Sequence, residues 1–178
     1  MHTAVSPLEA QRPSFASIAE EHLDDVFAYL TYLTGNRTLA EDLASETFER
    51  ALRFWKRFDP RRGSARTWLC QIARSVALDH FRSEERRRRR EERYALGDPP
   101  GREEETFGGG GFSPGLEAAL DTLSPGEREV IALRVLLDLD GETTARLLGI
   151  SPTACSTRLS RALKKLEENV RRDADVVA

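Results

Sequence analysis

The chain is short of the residues that most often carry catalysis, metal binding or cross-linking. Its 178 residues include two cysteines, three histidines, one methionine and no long apolar run. Two cysteines, Cys70 and Cys155, exclude a disulfide framework and a four-cysteine zinc site. No stretch approaches the ~20 apolar residues of a membrane span, and Met1–Ser14 has no basic start followed by an apolar core. The expectation is a cytoplasmic protein without membrane insertion. No phosphate-binding glycine loop, HExxH or nucleophile elbow occurs, and His2, His22 and His80 are scattered. The reading is therefore not an enzyme, with no catalytic residue, no metal and no cofactor. His22, on an apolar helix face, reads as a core histidine.

The chain also lacks net charge, and this absence misleads. It carries 27 Lys+Arg against 30 Asp+Glu, a net of −3. By segment the balance is −4 over Phe15–Pro60, +6 over Arg61–Leu96, −5 over Gly97–Gly126 and zero over Glu127–Ala178. A basic band lies between two acidic ones, and charge blocks say more than their total.

Strand-like alternation is missing as well, and helical spacing fills two blocks. The segment Gly97–Gly115 (GDPPGREEETFGGGGFSPG) reads as a flexible acidic linker. The expected organisation is a tail over 1–13, a helical domain over 14–96, the linker over 97–115 and a second helical domain over 116–173. The fold class is all-α: two small helical domains joined by a flexible linker.

In the first block, apolar residues from Phe15 to Leu33 recur at helical spacing, and Gly35 ends that helix as a C′ glycine. Thr38-Leu39-Ala40-Glu41 reads as a capping box opening a second helix. Its apolar side is Leu39, Leu43, Ala51, Leu52 and Trp55. Asp42, Glu46, Glu49, Arg50 and Arg53 fall on the other side, which on periodicity is the usual solvated face of a packed helix. Phe58–Ser64 is a loop. A third helix starts near Arg66 with Trp68, Leu69, Ile72, Ala73, Val76 and Phe81 toward the core. Its far end runs into five arginines, Arg86–Arg90, flanked by Glu84, Glu85, Glu91 and Glu92. That run reads either as a phosphate clamp or as a frayed helix end.

In the second block, a helix through Leu116, Leu120 and Leu123 stops near Ser124-Pro125, and Glu127–Leu137 forms the next. Two more helices follow: Glu142–Leu148, a turn at Gly149-Ile150-Ser151, then Pro152 to about Arg171. Ser151 suits the N-cap and Pro152 the first helical position. Helix, three-residue turn with glycine, helix is the helix-turn-helix pattern.

At these residues the chain resembles the bacterial RNA polymerase sigma factors of the extracytoplasmic-function (ECF) type. The resemblance rests on LAEDLASETFERALRFW (Leu39–Trp55), WLCQIARSVALDHFR (Trp68–Arg82) and, in the second block, Leu123-Ser124-Pro125, Arg128-Glu129-Val130, LGIS and the arginines of Thr157–Ala162. It implies sigma region 2 in the first domain and region 4 in the second. It also implies core RNA polymerase and promoter DNA as partners, together with an anti-sigma factor. The implied core-polymerase face is Asp42, Glu46, Glu49, Arg50 and Arg53. The implied −10 residues are Arg61, Arg62, Ser64, Arg66, Arg74 and Arg82, with Asp79 orienting Arg82. The implied −35 residues are Thr153, Ser156, Thr157, Arg158, Ser160 and Arg161. Trp68 is ascribed to the core and not to base stacking. Two departures stand out: Gly141 and Thr144 replace an apolar pair beneath the turn, implying a less stable −35 module. A helix-turn-helix regulator, or a sigma-like adaptor that does not initiate, is the alternative. The linker spans only about 22–27 Å as a free coil, so the free chain is expected to be too compact to read both promoter elements at once.

Overall fold

The structure, a computed structural model, describes residues 13–94 and 114–177. Among the described residues there are helices and turns but no strand. The first block holds α1 (Phe15–Thr34), α2 (Arg37–Phe54), a 3₁₀ turn (Trp55–Arg57) and α3 (Ala65–Tyr94). The second holds α4 (Pro114–Asp121), α5 (Pro125–Ile131), a π-type turn (Ala132–Leu136), α6 (Gly141–Leu148) and α7 (Pro152–Val177). The expected tail over 1–13, Pro13 apart, lies outside the described residues. So does the expected linker, except Pro114 and Gly115, which begin α4.

Local chemistry sets the helix ends. Ser14 Oγ accepts the Ser17 N–H at 3.1 Å to open α1. At the other end, Gly35 takes φ 61° and donates its N–H to Thr31 O at 2.9 Å. The left-handed conformation there favours a residue without Cβ. The capping box expected at Thr38–Glu41 does not form. Asn36 caps α2 instead, its Oδ1 accepting the Leu39 N–H at 3.0 Å. Asn is at least as good a cap as Thr, and it stands immediately after the glycine reversal. Thr38 is thereby drawn into the first turn, and Glu41 pairs with Arg37 at 3.3 Å.

The buried face of α2 is Ala40, Leu43, Ala44, Thr47 and Ala51. Leu52, expected to be inward, is 58% exposed. Small residues rule this face because α2 lies close against both α1 and α3. Thr47 is tolerated there because its hydroxyl donates to Leu43 O at 2.7 Å. Below them, Phe15, Trp55, Phe58 and Trp68 form a ring cluster. The Trp55–Phe58 and Phe58–Trp68 centroids are each 5.2 Å apart, and Phe15 meets Trp55 edge-on at 5.5 Å. Trp68 is accordingly a packing residue.

The expected single helix over Glu127–Leu137 is α5 followed by the π-type turn, in which Leu137 N–H reaches back to Ala132 O at 2.9 Å. The extra residue per turn aims Ala132 and Leu133 inward. It leaves Asp138 at φ 46°, a left-handed position that Asp tolerates better than most residues. A capping box absent from the sequence reading opens α5. Ser124 Oγ accepts the Glu127 N–H at 3.4 Å, while Glu127 Oε2 accepts the Ser124 N–H at 2.8 Å. Glu127 Oε2 also accepts from Lys165 Nζ of α7 at 2.8 Å. The turn between α6 and α7 forms as read: Gly149 has φ 67°, and Ser151 Oγ accepts the Ala154 N–H at 3.1 Å. Cys155 is buried beneath it.

Both blocks share one apolar interior. α1 packs against α2 and α3 on one side and against the π-type turn on the other.

Two stability predictions follow from this packing. Thr144 is fully buried in α6 and its Oγ1 has no hydrogen-bond partner, the weakness anticipated beneath the turn. Thr144→Val is expected to stabilise the chain by about 1 kcal/mol, read as a higher urea midpoint. The Lys165 ammonium, with help from Ser124, holds the Glu127 carboxyl below its usual value of 4.5. A depressed carboxyl stabilises above its unfolded value and loses that contribution as pH falls through the folded one. Glu127→Gln is therefore expected to lower the urea midpoint at neutral pH and to flatten its decline below about pH 4.5.

Candidate nucleic-acid interface

The α6–turn–α7 unit presents the first half of α7 outward. Thr153, Ser156, Thr157, Ser160 and Arg161 are exposed and Arg158 is half-buried. All six −35 candidates occupy one continuous arc of the helix, with Cys155 and Ala162 buried behind it. The arc has two different flanks. On one side Thr153, Thr157, Arg158 and Arg161 line a hollow with Ser124 and Glu127. On the other, Ser156 and Ser160 line a hollow with Arg134, Leu163 and Lys164. The Arg158 guanidinium lies against Gly126 of α5, where a Cβ would stand 3.1 Å from Nη1. Gly126 thus provides the clearance that lets Arg158 lie down beside α5.

The −10 candidates are less uniform than the sequence suggests. Arg62 is exposed in the loop after the 3₁₀ turn. Arg61 is 88% exposed but chelates its neighbour Asp59 through Nε and Nη2, both at 3.1 Å. This pairing holds the Asp59 carboxyl below its ordinary range. Ser64 closes the loop by taking the Thr67 N–H at 3.1 Å, which starts α3. Arg66 is held on Asp25 of α1, Nε to Oδ2 at 2.7 Å, and is half-buried. Arg74, expected on the open surface, forms a two-pronged pair with Glu129 of α5: Nε to Oε1 at 2.9 Å and Nη2 to Oε2 at 3.3 Å. Arg82 is exposed and keeps the expected i, i+3 pair with Asp79 only at long range. Asp79 binds Arg50 at 3.0 Å and is 4.0 Å from Arg82. Arg50 sits nearer because α2 lies alongside α3.

On α2, Asp42, Glu49 and Arg53 are exposed, while Glu46 and Arg50 are partly covered. Arg50 bridges Glu46 at 2.6 Å and Asp79 at 3.0 Å, and Arg53 pairs with Glu49 at 3.5 Å. Leu52 and Phe54 stand exposed at the end of the same helix. The sequence reading missed them as surface residues; a mixed apolar and charged patch is typical of a protein contact.

The Arg74–Glu129 pair joins the two blocks. Its side chains are 25% and 15% exposed, so water screens it poorly. Tyr29 of α1 is fully buried nearby. Burial, and then the Glu129 charge, push its hydroxyl well above the usual tyrosine value, with Arg74 opposing. Asp25, Glu127 and Glu129 were not foreseen as partners. Each reaches a cation 38 to 55 positions away in the chain, beyond any local spacing rule. Among the described residues no His/Cys/Asp/Glu group could hold a metal, and no helix is long and apolar enough to cross a membrane.

Comparison with known proteins places both blocks. Residues 18–87 match the model of Sigma-70 region 2, and residues 115–166 that of Sigma-70, region 4. The chain is 31% identical over 163 residues to the ECF RNA polymerase sigma factor BldN of Streptomyces coelicolor, with 90% of this chain and 62% of BldN covered. It is 28% identical to SigX of Bacillus subtilis, covering 88% of this chain and 84% of SigX. The chain therefore spans less than two thirds of BldN. Among solved structures it resembles the sigma factor RpoE of Bartonella quintana, determined with the anti-sigma factor NepR. The TM-score is 0.68 at 24% identity, over 88% of this chain and 96% of that one. It also resembles CnrH, determined with the cytosolic domain of CnrY, at TM-score 0.64 and 23% identity over 89% and 88%. These two likenesses concern the fold.

Glu129→Gln is expected to loosen the junction between the blocks and raise the radius of gyration by several ångströms in small-angle scattering. Arg50→Gln, which breaks a pair inside the first block, is expected to leave that radius unchanged.

Proposed function

Since the chain belongs to the sigma-70 family, and within it to the ECF sigma factors, we propose that it binds core RNA polymerase and directs promoter-specific initiation. The observation that carries this reading is the order of regions on one chain: region 2 first, and a region 4 helix-turn-helix after it. A helix-turn-helix regulator would account for the second block but not for the first. On this reading the domains are 14–96 and 116–173, with a linker over 97–115. The setting is the cytoplasm, and the task needs no catalytic group.

Each surface has a physical task. α7 enters the −35 major groove with Thr153, Ser156, Thr157, Arg158, Ser160 and Arg161. A bidentate arginine on guanine there discriminates by about 1–3 kcal/mol. The region 2 loop and α3 hold the melted −10 strand, with Arg62 open to phosphates or bases and the exposed Arg61 and Arg82 able to turn to them from Asp59 and Asp79. Arg66 and Arg74 serve only if they exchange Asp25 and Glu129 for DNA. Asp42, Glu46, Glu49, Arg50 and Arg53, with Leu52 and Phe54 beside them, meet the polymerase. An anti-sigma factor is the third proposed partner, covering these same faces. Exposed apolar side chains on both blocks, Leu52 on α2 and Leu163 on α7 among them, suit a protein that spans the two.

The closed junction bears on the mechanism. The two promoter elements lie more than two turns of DNA apart, at about 34 Å per turn. The blocks share one interior and cannot reach both while packed together. Binding to polymerase therefore separates them, and the free factor binds promoter duplex poorly.

Run-off transcription with core polymerase on genomic fragments is expected to give specific start sites absent with core alone; no specific transcripts would reject the reading. Arg158→Ala with Arg161→Ala is expected to abolish dependence on the −35 sequence and to preserve core binding in a pull-down.

A further inference from the structure

The five consecutive arginines of α3 are neither frayed nor equivalent. The helix continues unbroken to Tyr94, and its glutamates sort the arginines into two classes. Arg87 pairs with Glu84 at 2.6 Å and Glu91 at 3.6 Å. Arg88 pairs with Glu85 at 2.8 Å and Glu92 at 3.0 Å, and Arg89 with Glu85 at 2.6 Å. Pairs three and four residues apart support a solvent-exposed helix, so these three arginines hold the extension together. Arg86, Arg90 and Arg93 make no ion pair among the described residues, and all three are exposed. Arg82 continues their line. Its one ion pair is a long one, to Asp79 at 4.0 Å, a carboxylate that binds Arg50 more closely at 3.0 Å.

Arg82, Arg86, Arg90 and Arg93 are spaced i, i+4, i+8 and i+11. At about 100° per residue they fall within an arc of roughly 80°, and the four glutamates lie on the opposite face, interleaved with the arginines they bind. The result is a cationic stripe about 16 Å long. We propose that this stripe is a phosphate-binding face for duplex DNA between the −10 and −35 elements, working beside the sequence-reading surfaces and blind to sequence itself. The proposal rests on the initiator reading given above.

Three observations select the occupant. The stripe continues the helix that carries the proposed −10 residues, on the side nearer in sequence to the proposed −35 block, and an initiator holds the spacer duplex between those two readers. Duplex DNA carries a charge about every 1.7 Å of its axis, dense enough to engage all four arginines. The segment from Ser83 to Arg93 holds no apolar residue, so it has no face to enter a bilayer, and the one exposed ring beside it, Tyr94, is no platform for the successive bases of a single strand.

The test compares two triple variants of equal charge loss in the reconstituted holoenzyme. Affinity for a promoter fragment is followed by fluorescence anisotropy across a series of salt concentrations. Arg86→Gln/Arg90→Gln/Arg93→Gln is expected to flatten the plot of log affinity against log salt by about 2–3 units, at ~0.9 per phosphate, with start sites unchanged. Arg87→Gln/Arg88→Gln/Arg89→Gln is expected to flatten it by less than about 1 unit on the same scale. Replacing Arg86, Arg90 and Arg93 with Lys is expected to keep the wild-type slope. Helix content by circular dichroism checks that α3 persists in each variant. An unchanged slope in the first triple, equal flattening in both triples, or a stripe-dependent affinity for anionic vesicles with no change on DNA would each overturn the proposal. Specific transcripts together with an unchanged slope would overturn the stripe alone. No specific transcripts from the wild-type chain would overturn the initiator reading and the stripe with it.

Discussion

Four consecutive residues of α1, Tyr29, Leu30, Thr31 and Tyr32, are all buried. At about 100° per residue they cover the whole circumference of the helix, so the end of α1 is enclosed. No small bundle of α1, α2 and α3 could do this alone, since a helix packed on one side keeps an outer face. The second block supplies the missing wall through its π-type turn. That constraint accounts for the inward aim of Leu133 and for the half-buried pair of Arg74 with Glu129 at the seam.

Enclosure of α1 also has a functional side. A family that reads two distant promoter elements needs its domains apart, yet here they share an interior. The junction is apolar around the Arg74–Glu129 ion pair, and such a contact is costly to break one side at a time. Arg74 belongs to the helix proposed to face DNA. Its engagement with Glu129 means that domain separation and exposure of that arginine are one event. A partner that draws the blocks apart would therefore also unmask a phosphate-seeking charge.

What could be read from the sequence was local. Gly35 and Gly149 mark their helix ends because a left-handed residue is chemically distinctive, and Ser151-Pro152 announces α7 for a similar reason. The cap of α2 was misplaced by two residues because Thr38–Glu41 satisfies the same pattern that Asn36 satisfies better. Leu52 was assigned inward because its spacing fits the helix, but spacing does not reveal that the neighbours approach on the alanine side. The site was harder still. Arg66 with Asp25 and Arg74 with Glu129 are joined only by the tertiary fold, and an arginine looks the same in sequence whether free or engaged. The five-arginine run was ambiguous for the opposite reason: its partners were adjacent, but only the helical register decides which arginines they take.

Gly126 carries a quieter consequence. A methyl group there would meet the Arg158 guanidinium, the movable end of a long side chain, and not the backbone. A few tenths of an ångström at that movable end would relieve the contact. Positions 126 and 158, on different helices and 32 residues apart, are therefore coupled: what stands at the first sets how closely the guanidinium of the second can lie against α5.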